Sequence, residues 1–152
     1  MDFTIDIARP AEHVFALIAD LSNYPRWLPP SGLYGTTTQV SDVPVTLGTT
    51  YVDGKQAPLH GRVTEFRPPV AIAFYQEARL LLSRLSIDIH YRLEPLGVHT
   101  RVHRTTTPRL SGMLALLRPL IVRPIRNENL RTLAMMKQYL EHEGREGREG
   151  RA

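Results

Sequence analysis

Three histidines of one strand-like stretch have the residue type and spacing that could bind a metal ion. His99 and His103 lie four positions apart, as in zinc-binding helices, and a turn at "EPLG" would place His90 opposite His103. Opposed residues on neighbouring strands have Cβ atoms roughly 4.5–5.5 Å apart, close enough for two imidazoles to share a metal. However, four positions on a strand span about 13 Å, and the glutamate of H-E-x-x-H is missing. Arg101 would also repel a cation, so we predict exposed histidines and no metal.

The same turn predicts an arginine inside the protein. If the loop at "EPLG" has two or four residues, three cross-strand pairs face the interior: Leu93 with Thr100, Tyr91 with Val102, and Ile89 with Arg104. A buried guanidinium needs a partner, because an unpaired interior charge costs several kcal/mol. Strand alternation offers Glu65 or Gln76 as that partner, and a ligand carboxylate or phosphate could serve instead. The remaining alternative is that Arg104 lies near the rim and reaches water.

Motifs for nucleophilic catalysis are absent from the sequence. It contains no G-x-S-x-G elbow, no glycine-rich phosphate loop and no cysteine. The polar groups that could take and give protons inside a cavity are Tyr51, Tyr91, Gln76 and Arg104. We assign no catalytic residue, no cofactor and no metal from the sequence.

The elements that must position these side chains follow from the period of the apolar residues. Residues 3–7, "FTIDI", alternate as a half-buried strand does. A helix begins at Pro10 and ends by Asn23, and the prolines that follow permit one further short helical piece, which contains Trp27. Residues 33–107 then alternate as successive antiparallel strands divided by turn residues, which predicts a sheet of six or seven strands.

Helical periodicity returns after Pro108 and continues to about Glu143. One stripe of this final helix contains Leu130, Leu133, Met136, Lys137 and Leu140. Because a proline interrupts a straight helix, we predict a kinked helical segment over residues 111–123, with Pro124 starting the main helix, where its missing N–H costs little. The apolar residues of this segment should point inward: Met113, Leu114, Leu117 and Ile121.

The charge of the chain is concentrated in one segment. The net charge is +4, and residues 101–131 carry seven arginines with Glu128 as their one acid. Such a segment can bind an anionic membrane surface or partner, or it can be a solvated face. We do not expect a nucleic acid partner, because no aromatic side chains are interleaved with the arginines for base stacking. Residues 144–152 repeat glycine and charge with nothing to bury, which predicts a disordered tail.

Length and composition predict one domain over residues 1–143. A chain of 152 residues can bury roughly 68–70% of its unfolded surface in a single core. The absence of cysteine gives no sign of an oxidising compartment. No signal-peptide pattern and no uncharged apolar stretch of roughly 20 residues is present, so we expect a cytoplasmic protein. One helix cannot cover so large a sheet flatly, and we expect the sheet to curve around the final helix.

Four segments carry a resemblance to a known family: "IARPAEHVFALIADLSNYPRWLP", "GRVTEFRPP", "HYRLEPLGVHTRV" and "NLRTLAMMKQYLE". They resemble the START-like, or SRPBCC, superfamily of polyketide cyclase/dehydrase and lipid-transport-like proteins over residues 3–142. The resemblance implies an α+β helix-grip fold, as in the birch pollen allergen: a curved antiparallel sheet wrapped around a long C-terminal helix, with one or two short helices after the first strand. It also implies an apolar cavity between sheet and helix, with its mouth near the segment before that helix. Residues 111–123 would then be a lid over the cavity, and the alternative is that they pack on the core and never open.

Strand alternation and the helix stripe identify the residues expected in that cavity. They are Tyr51, Val63, Ile72, Phe74, Gln76, Ile89, Tyr91, Val102, Arg104, Leu117, Ile121, Leu133 and Met136. The leading hypothesis is a non-catalytic protein that binds a small hydrophobic or amphipathic molecule, such as a lipid, polyketide or isoprenoid. One alternative is an aromatase/cyclase or dehydratase acting on a polyketide-like substrate. Another is an interaction protein that contacts an anionic membrane or partner through the Arg-rich segment 101–131. The sequence carries no sign of the oligomeric state.

Overall fold

One antiparallel sheet and one long helix dominate the computed structural model, which describes residues 1–54 and 58–150. The strands are β1 (Asp2–Ile7), β2 (Thr37–Thr38), β3 (Thr50–Asp53), β4 (Leu59–Arg67), β5 (Ala71–Leu80), β6 (Ser83–Leu96) and β7 (His99–Ser111). The helices are α1 (Ala11–Ala19), a first 3-10 helix (Leu21–Arg26), a second 3-10 helix (Gly112–Leu117) and α2 (Arg118–Glu149). The strand order is β1-β7-β6-β5-β4-β3-β2, and neighbours in this order are antiparallel. The predicted α+β helix-grip fold is therefore confirmed.

The core lies where α1 and α2 pack on the concave face of the sheet. On α2, Leu133, Met136 and Leu140 are buried, whereas Leu130 of the predicted stripe is about half exposed. The rings of Tyr24 and Trp27 meet edge to face, with centroids 5.0 Å apart. The helix stripe therefore contributes three buried residues to a hydrophobic core that the strands, α1 and the region of the first 3-10 helix otherwise mainly supply.

The β6–β7 hairpin has a different register from the predicted one. Its turn is Gly97-Val98, so that Tyr91 pairs with Arg104 and Leu93 with Val102. Gly97 has φ +71°, a left-handed conformation that glycine adopts readily in a two-residue turn. A leucine at such a position would be strained, which favours the turn that contains Gly97. The pairs are displaced by two residues, and an even displacement leaves each side chain on its predicted face.

The shift removes the predicted histidine pair. His90 lies opposite Thr105, while His103 lies opposite Arg92. The His103 ring contacts Thr4 Oγ1 at 3.2 Å and the carboxylate of Glu94 at 3.5 Å. Within residues 1–54 and 58–150, no three side chains of the metal-binding types come together as a site.

Glu65 also departs from its predicted place. A β-bulge between Val63 and Glu65 reverses the alternation of β4, so that Phe66 takes the inward position opposite Ile72. Glu65 instead accepts a hydrogen bond from Arg67 Nε at 2.7 Å on the outer face. It therefore cannot be the partner of Arg104.

The helix α2 begins earlier and ends later than predicted. It starts at Arg118 and contains Pro124, so the prediction that Pro124 starts the main helix is wrong. Pro119 stands in the first turn, where no N–H has a helical partner, and Pro124 deprives one carbonyl of its helical donor. At the other end, the helix continues through 144–149, where the sequence predicted a disordered tail. Residues 151–152 of that tail lie outside the described residues.

Glycine inside this last stretch has a packing reason. The guanidinium of Arg9 lies against Gly144, where an added Cβ would come within 2.8 Å of Nη1. The ring Nδ1 of His142 and the carboxylate of Glu146, four positions further along the helix, also lie 3.7 Å apart. These contacts accompany the extension of the helix beyond residue 143.

The segment predicted as an inward-facing lid is largely exposed. Met113 and Leu117 point to the surface, and Leu117 is 48% exposed. Leu114 and Ile121 are half-buried. Residues three apart lie in one row along a 3-10 helix, so Met113 and Leu116 fall in one row and Leu114 and Leu117 in another, and both rows cannot face the core.

Candidate functional site

A pocket of about 140 Å³ lies between the concave face of the sheet and α2. Its wall is formed by the inward side chains of β3 to β7, by the first 3-10 helix with the loop after it, and by α2. The lining residues are Leu21, Tyr24, Leu28, Leu33, Tyr34, Tyr51, Asp53, Leu59, Phe74, Gln76, Leu85, Ile87, Ile89, Tyr91, Arg104, Thr106, Ile121, Ile125, Glu128, Asn129 and Thr132. Most of these side chains are apolar or aromatic, as is typical of a small-molecule site.

The structure divides the predicted cavity residues into three groups. Those on the pocket wall are Tyr51, Phe74, Gln76, Ile89, Tyr91, Arg104 and Ile121. Those packed in the core instead are Val63, Ile72, Val102, Leu133 and Met136. Leu117 lies on the surface. An inward direction is thus necessary for a place on the wall, but it does not separate a lining residue from a packed one.

Arg104 is the buried cation of the pocket. It is 8% exposed, its guanidinium carbon lies 4.9 Å from the centroid of the Tyr91 ring, and Nη1 donates a hydrogen bond to Tyr91 Oη. Its Nε has no acceptor, and no carboxylate of the described residues lies within 4.0 Å of the guanidinium. Burial raises the pKa of Tyr91, so this phenol stays neutral and supplies no negative charge to the guanidinium. The arrangement leaves donor capacity for a further acceptor.

Gln76 does not bond Arg104, although the sequence suggested it as a partner. Its Nε2 donates to Asp53 Oδ2 at 2.6 Å and to Tyr51 Oη at 3.1 Å. Thr37 donates to the other carboxylate oxygen of Asp53 at 2.6 Å. We call Thr37, Tyr51, Asp53 and Gln76 the Asp53 cluster.

Asp53 is a wall residue that the sequence reasoning missed. It follows Tyr51 by two positions, so the strand alternation contained the signal that both side chains share a face. Burial raises the pKa of Asp53, even though its hydrogen bonds from Thr37 and Gln76 act in the opposite direction. Burial also raises the pKa of Tyr51, and the nearby charge of Asp53 adds to that effect. The cluster therefore holds a carboxyl group that is less acidic than a solvated one.

Gly61 leaves the space that Tyr51 occupies. The two residues are opposite each other in the β3–β4 ladder, and an added Cβ on Gly61 would lie 2.3 Å from Tyr51 Cζ. The tyrosine ring thus crosses the strand at the glycine and reaches Gln76, which pairs with Gly61 on the other side. This close approach is the reason that a glycine stands inside a strand here.

Polar groups from α2 complete the wall and are paired. Thr106 donates to Asn129 Oδ1 at 2.6 Å, and Asn129 Nδ2 donates to the backbone oxygen of Ile125 at 2.7 Å. Glu128 accepts hydrogen bonds from Ser31 at 2.9 Å and from Arg131 at 3.0 Å. Because these groups satisfy one another, they fix α2 and the loop after the first 3-10 helix in place.

The curved seven-stranded sheet, the long C-terminal helix and the pocket between them define a helix-grip protein. Residues 1–141 match the family described as "Polyketide cyclase / dehydrase and lipid transport". The chain belongs to this family, which confirms the resemblance found in the sequence. No curated protein sequence matches the chain.

Solved structures share the fold at low sequence identity. The protein TTHA0849 from Thermus thermophilus is 18% identical, with a TM-score of 0.73, and the match covers 93% of this chain and 97% of that one. Ara h 8.0201 is 10% identical, with a TM-score of 0.70 and coverage of 93% and 97%. The di-domain ARO/CYC BexL from the BE-7585A biosynthetic pathway is 21% identical, with a TM-score of 0.63 and coverage of 93% and 46%. The chain therefore spans about half the length of BexL, and these likenesses show the fold alone.

Proposed function

We propose that this protein binds a small amphipathic molecule whose oxygen acceptor meets Arg104, without obligatory catalysis. The observation that carries the proposal is a buried guanidinium on the pocket wall whose Nε has no acceptor and which has no carboxylate of the described residues within 4.0 Å. A ligand carboxylate, enolate or carbonyl oxygen would accept its free hydrogen bonds and balance the charge. Lipid-, polyketide- and isoprenoid-like molecules combine such an oxygen with an apolar body. The family description, which includes lipid transport, supports this choice.

The size of the pocket limits the ligand that fits without rearrangement. Sites for drug-sized molecules measure about 300–1,000 Å³, and an engineered apolar cavity of about 150 Å³ holds benzene. At about 140 Å³, the pocket accepts a single ring or a short chain as it stands. A longer ligand requires the wall to open, and Leu33, a lining residue that is 43% exposed, marks the side where this displaces the least packing.

Binding of two matched probes tests the role of Arg104. The probes are 2-naphthoate and 2-methylnaphthalene, which share an apolar body and differ in the carboxylate. Arg104→Gln should weaken 2-naphthoate binding by about tenfold or more, since a hydrogen bond to a charged group contributes about 1.5–3 kcal/mol. It should leave 2-methylnaphthalene binding unchanged. The control is Arg101→Gln, a partly exposed arginine on the other face of β7.

Three results would each reject the proposal. The first is equal affinity of wild-type protein and Arg104→Gln for 2-naphthoate. The second is an equal loss for both probes, which would indicate damage to the pocket rather than loss of a charge partner. The third is no binding to the wild-type protein of either probe or of the single-ring counterparts that fit the pocket as it stands, benzoate and toluene. A native mass spectrum of the freshly purified protein, compared with its denatured mass, detects a captured natural ligand directly.

A second candidate function is proton transfer during cyclisation or dehydration of a polyketide-like substrate. The observation that favours it is Asp53, a carboxyl group with raised pKa on the pocket wall, hydrogen-bonded within the Asp53 cluster. A general base works best when its pKa lies near the working pH, and burial moves Asp53 in that direction. Its carboxylate would take a proton from the carbon beside a carbonyl group, leaving an enolate that Arg104 stabilises.

Exchange of the α-protons of 2-tetralone for deuterium, followed by NMR in heavy water, tests this second function. Wild-type protein should accelerate the exchange, and Asp53→Asn should abolish the acceleration while retaining 2-naphthoate binding. Exchange that is no faster with the protein than without it would leave binding without catalysis as the function.

A further inference from the structure

A patch of exposed apolar side chains lies at the β5–β6 turn and the second 3-10 helix. The leucine patch consists of Leu80, Leu81, Leu82, Met113, Leu116, Leu117 and Leu120. Leu81 and Leu82 at the tip of the turn are 105% and 95% exposed. A single exposed leucine is ordinary, but a contiguous group of this size marks an interaction surface.

The two elements of the leucine patch are held together. The backbone N–H of Met113 donates to Ser83 Oγ at 3.1 Å. Gly112, with φ +65°, lies so close to the turn that an added Cβ would be 2.5 Å from the backbone oxygen of Leu82. The turn and the second 3-10 helix therefore present one surface rather than two independent tips.

The leucines at the tip are costly for the folded chain. Only Leu81 and Leu82 stand between the paired residues Leu80 and Ser83, and Leu81 has φ +51°. Asparagine and glycine adopt this left-handed conformation in two-residue turns at little cost, whereas a leucine there is strained. Neither side chain contributes to the core, because both are exposed. The packing of the described residues therefore gives no reason for two leucines at this position.

Arginines surround the leucine patch with little negative charge to balance them. Arg79 and Arg84 share one carboxylate, that of Glu77, at 3.3 Å and 3.8 Å. Arg118 and Arg123 at the start of α2 are exposed and form no salt bridge within the described part of the chain. An apolar centre with a positive rim is complementary to an anionic lipid surface, where leucines enter the acyl boundary and arginines meet phosphates.

We propose that the leucine patch docks the protein on the surface of an anionic lipid bilayer. The docking is peripheral, since none of the described helices is long and apolar enough to cross a membrane. The patch adjoins the pocket, because Leu85 and Ile121, a few positions along the chain from it, form part of the pocket wall. A docked protein would thus bring this end of the pocket to the bilayer. The proposal does not depend on what the pocket binds.

Co-sedimentation with lipid vesicles tests the proposal. Wild-type protein should bind vesicles that contain phosphatidylglycerol, and high salt should weaken the binding several-fold, as expected for screened surface charges. The double variant Leu81→Ser/Leu82→Ser should bind at least about tenfold more weakly, since two buried leucine side chains are lost from the contact. The matched control is Leu47→Ser/Val98→Ser, two exposed apolar residues outside the patch.

A double variant that removes two positive charges tests the role of the arginines around the leucine patch. Arg118→Gln/Arg123→Gln should bind the anionic vesicles several-fold more weakly and with less salt dependence than wild type. Arg145→Gln, an exposed arginine near the far end of α2, is the control and should bind as wild type does. Arg104→Gln should also leave vesicle binding unchanged, which separates a failure of this proposal from a failure of the proposed ligand site.

Several outcomes would overturn the proposal. One is no binding of the wild-type protein to the anionic vesicles. Another is binding that the leucine variant leaves intact, or equal binding to vesicles of phosphatidylcholine alone at every salt concentration. A third is a wild-type dimer in sedimentation equilibrium that Leu81→Ser/Leu82→Ser converts to a monomer, with no vesicle binding. That last result would assign the patch to a second copy of this chain.

Discussion

Gly61→Ala should destabilise the protein because of one side chain, Tyr51. The added Cβ would stand 2.3, 2.5 and 2.7 Å from three carbons of the tyrosine ring, well inside van der Waals contact. The ring is 3% exposed and packs edge to face on Phe74 at 6.0 Å, so it cannot move aside freely. Overpacking of this kind costs about 1–3 kcal/mol, and loss of the bond to Gln76 adds about 0.5–1.5 kcal/mol.

We therefore expect the free energy of unfolding to fall by about 2–4 kcal/mol, which corresponds to roughly 10 °C in melting temperature. Urea unfolding followed by circular dichroism measures the change. The control is Gly32→Ala, where an added Cβ meets nothing within 4 Å and the stability should change by less than about 0.5 kcal/mol.

A second background makes the test specific. In Tyr51→Ala the ring is gone, and Gly61→Ala should then stabilise the protein by about 0.5–1 kcal/mol, because alanine loses less conformational entropy than glycine in a strand. The sign of the effect thus reverses between the two backgrounds. An equal cost in both, or no cost in the wild-type protein, would refute the close approach of Tyr51 as the cause.

Three further predictions concern the site and the helix that covers it. Folding raises the pKa of Asp53 above its ordinary value of 3.8, so the folded state holds this proton to higher pH than the unfolded chain. Asp53→Asn should therefore gain stability relative to wild type as the pH rises from about 4 through the folded pKa, and urea unfolding showing the opposite slope would contradict this. Met136→Ala, at a fully buried position, should lower the free energy of unfolding by about 2–5 kcal/mol, and a loss below about 1 kcal/mol would contradict the packing of α2. Pro124→Ala should raise the free energy of unfolding by about 1–2 kcal/mol, because it allows one more helical hydrogen bond. Pro119→Ala, in the first turn of α2, should change it little. Equal effects of the two substitutions on thermal unfolding would contradict a helix start at Arg118.

Local patterns in the sequence account for much of the fold. The periods of two and 3.6 identify which residues share a face of a strand or helix, because they follow from backbone geometry alone. Tyr91 and Arg104 were therefore expected on the same inward face, and they lie there although the hairpin register differs by two residues. An even displacement preserves faces, so the prediction of direction survived the error in pairing.

The predicted directions and bounds are wrong where a single residue interrupts the regular pattern of a strand or helix. The bulge next to Val63 reverses the alternation and sends Glu65 outward, and nothing in the letters of β4 marks that extra residue. The start of α2 was misplaced for a related reason. A proline inside a helix costs free energy locally, so Pro124 was expected at the helix start. In the folded protein, the packing of the rest of this long helix outweighs that cost, and Pro124 lies inside α2.

The sequence was thus sufficient for the family, the order of elements and the direction of most side chains, since each depends on residues close together along the chain. The pocket depends on distances between distant elements. Whether an inward residue lines it, as Phe74 does, or packs beneath it, as Ile72 does, follows from the curvature of the sheet and the seating of α2. The link of Asp53 to Gln76 and the isolation of Arg104 have the same origin, because they join strands whose spacing is set by the assembled fold.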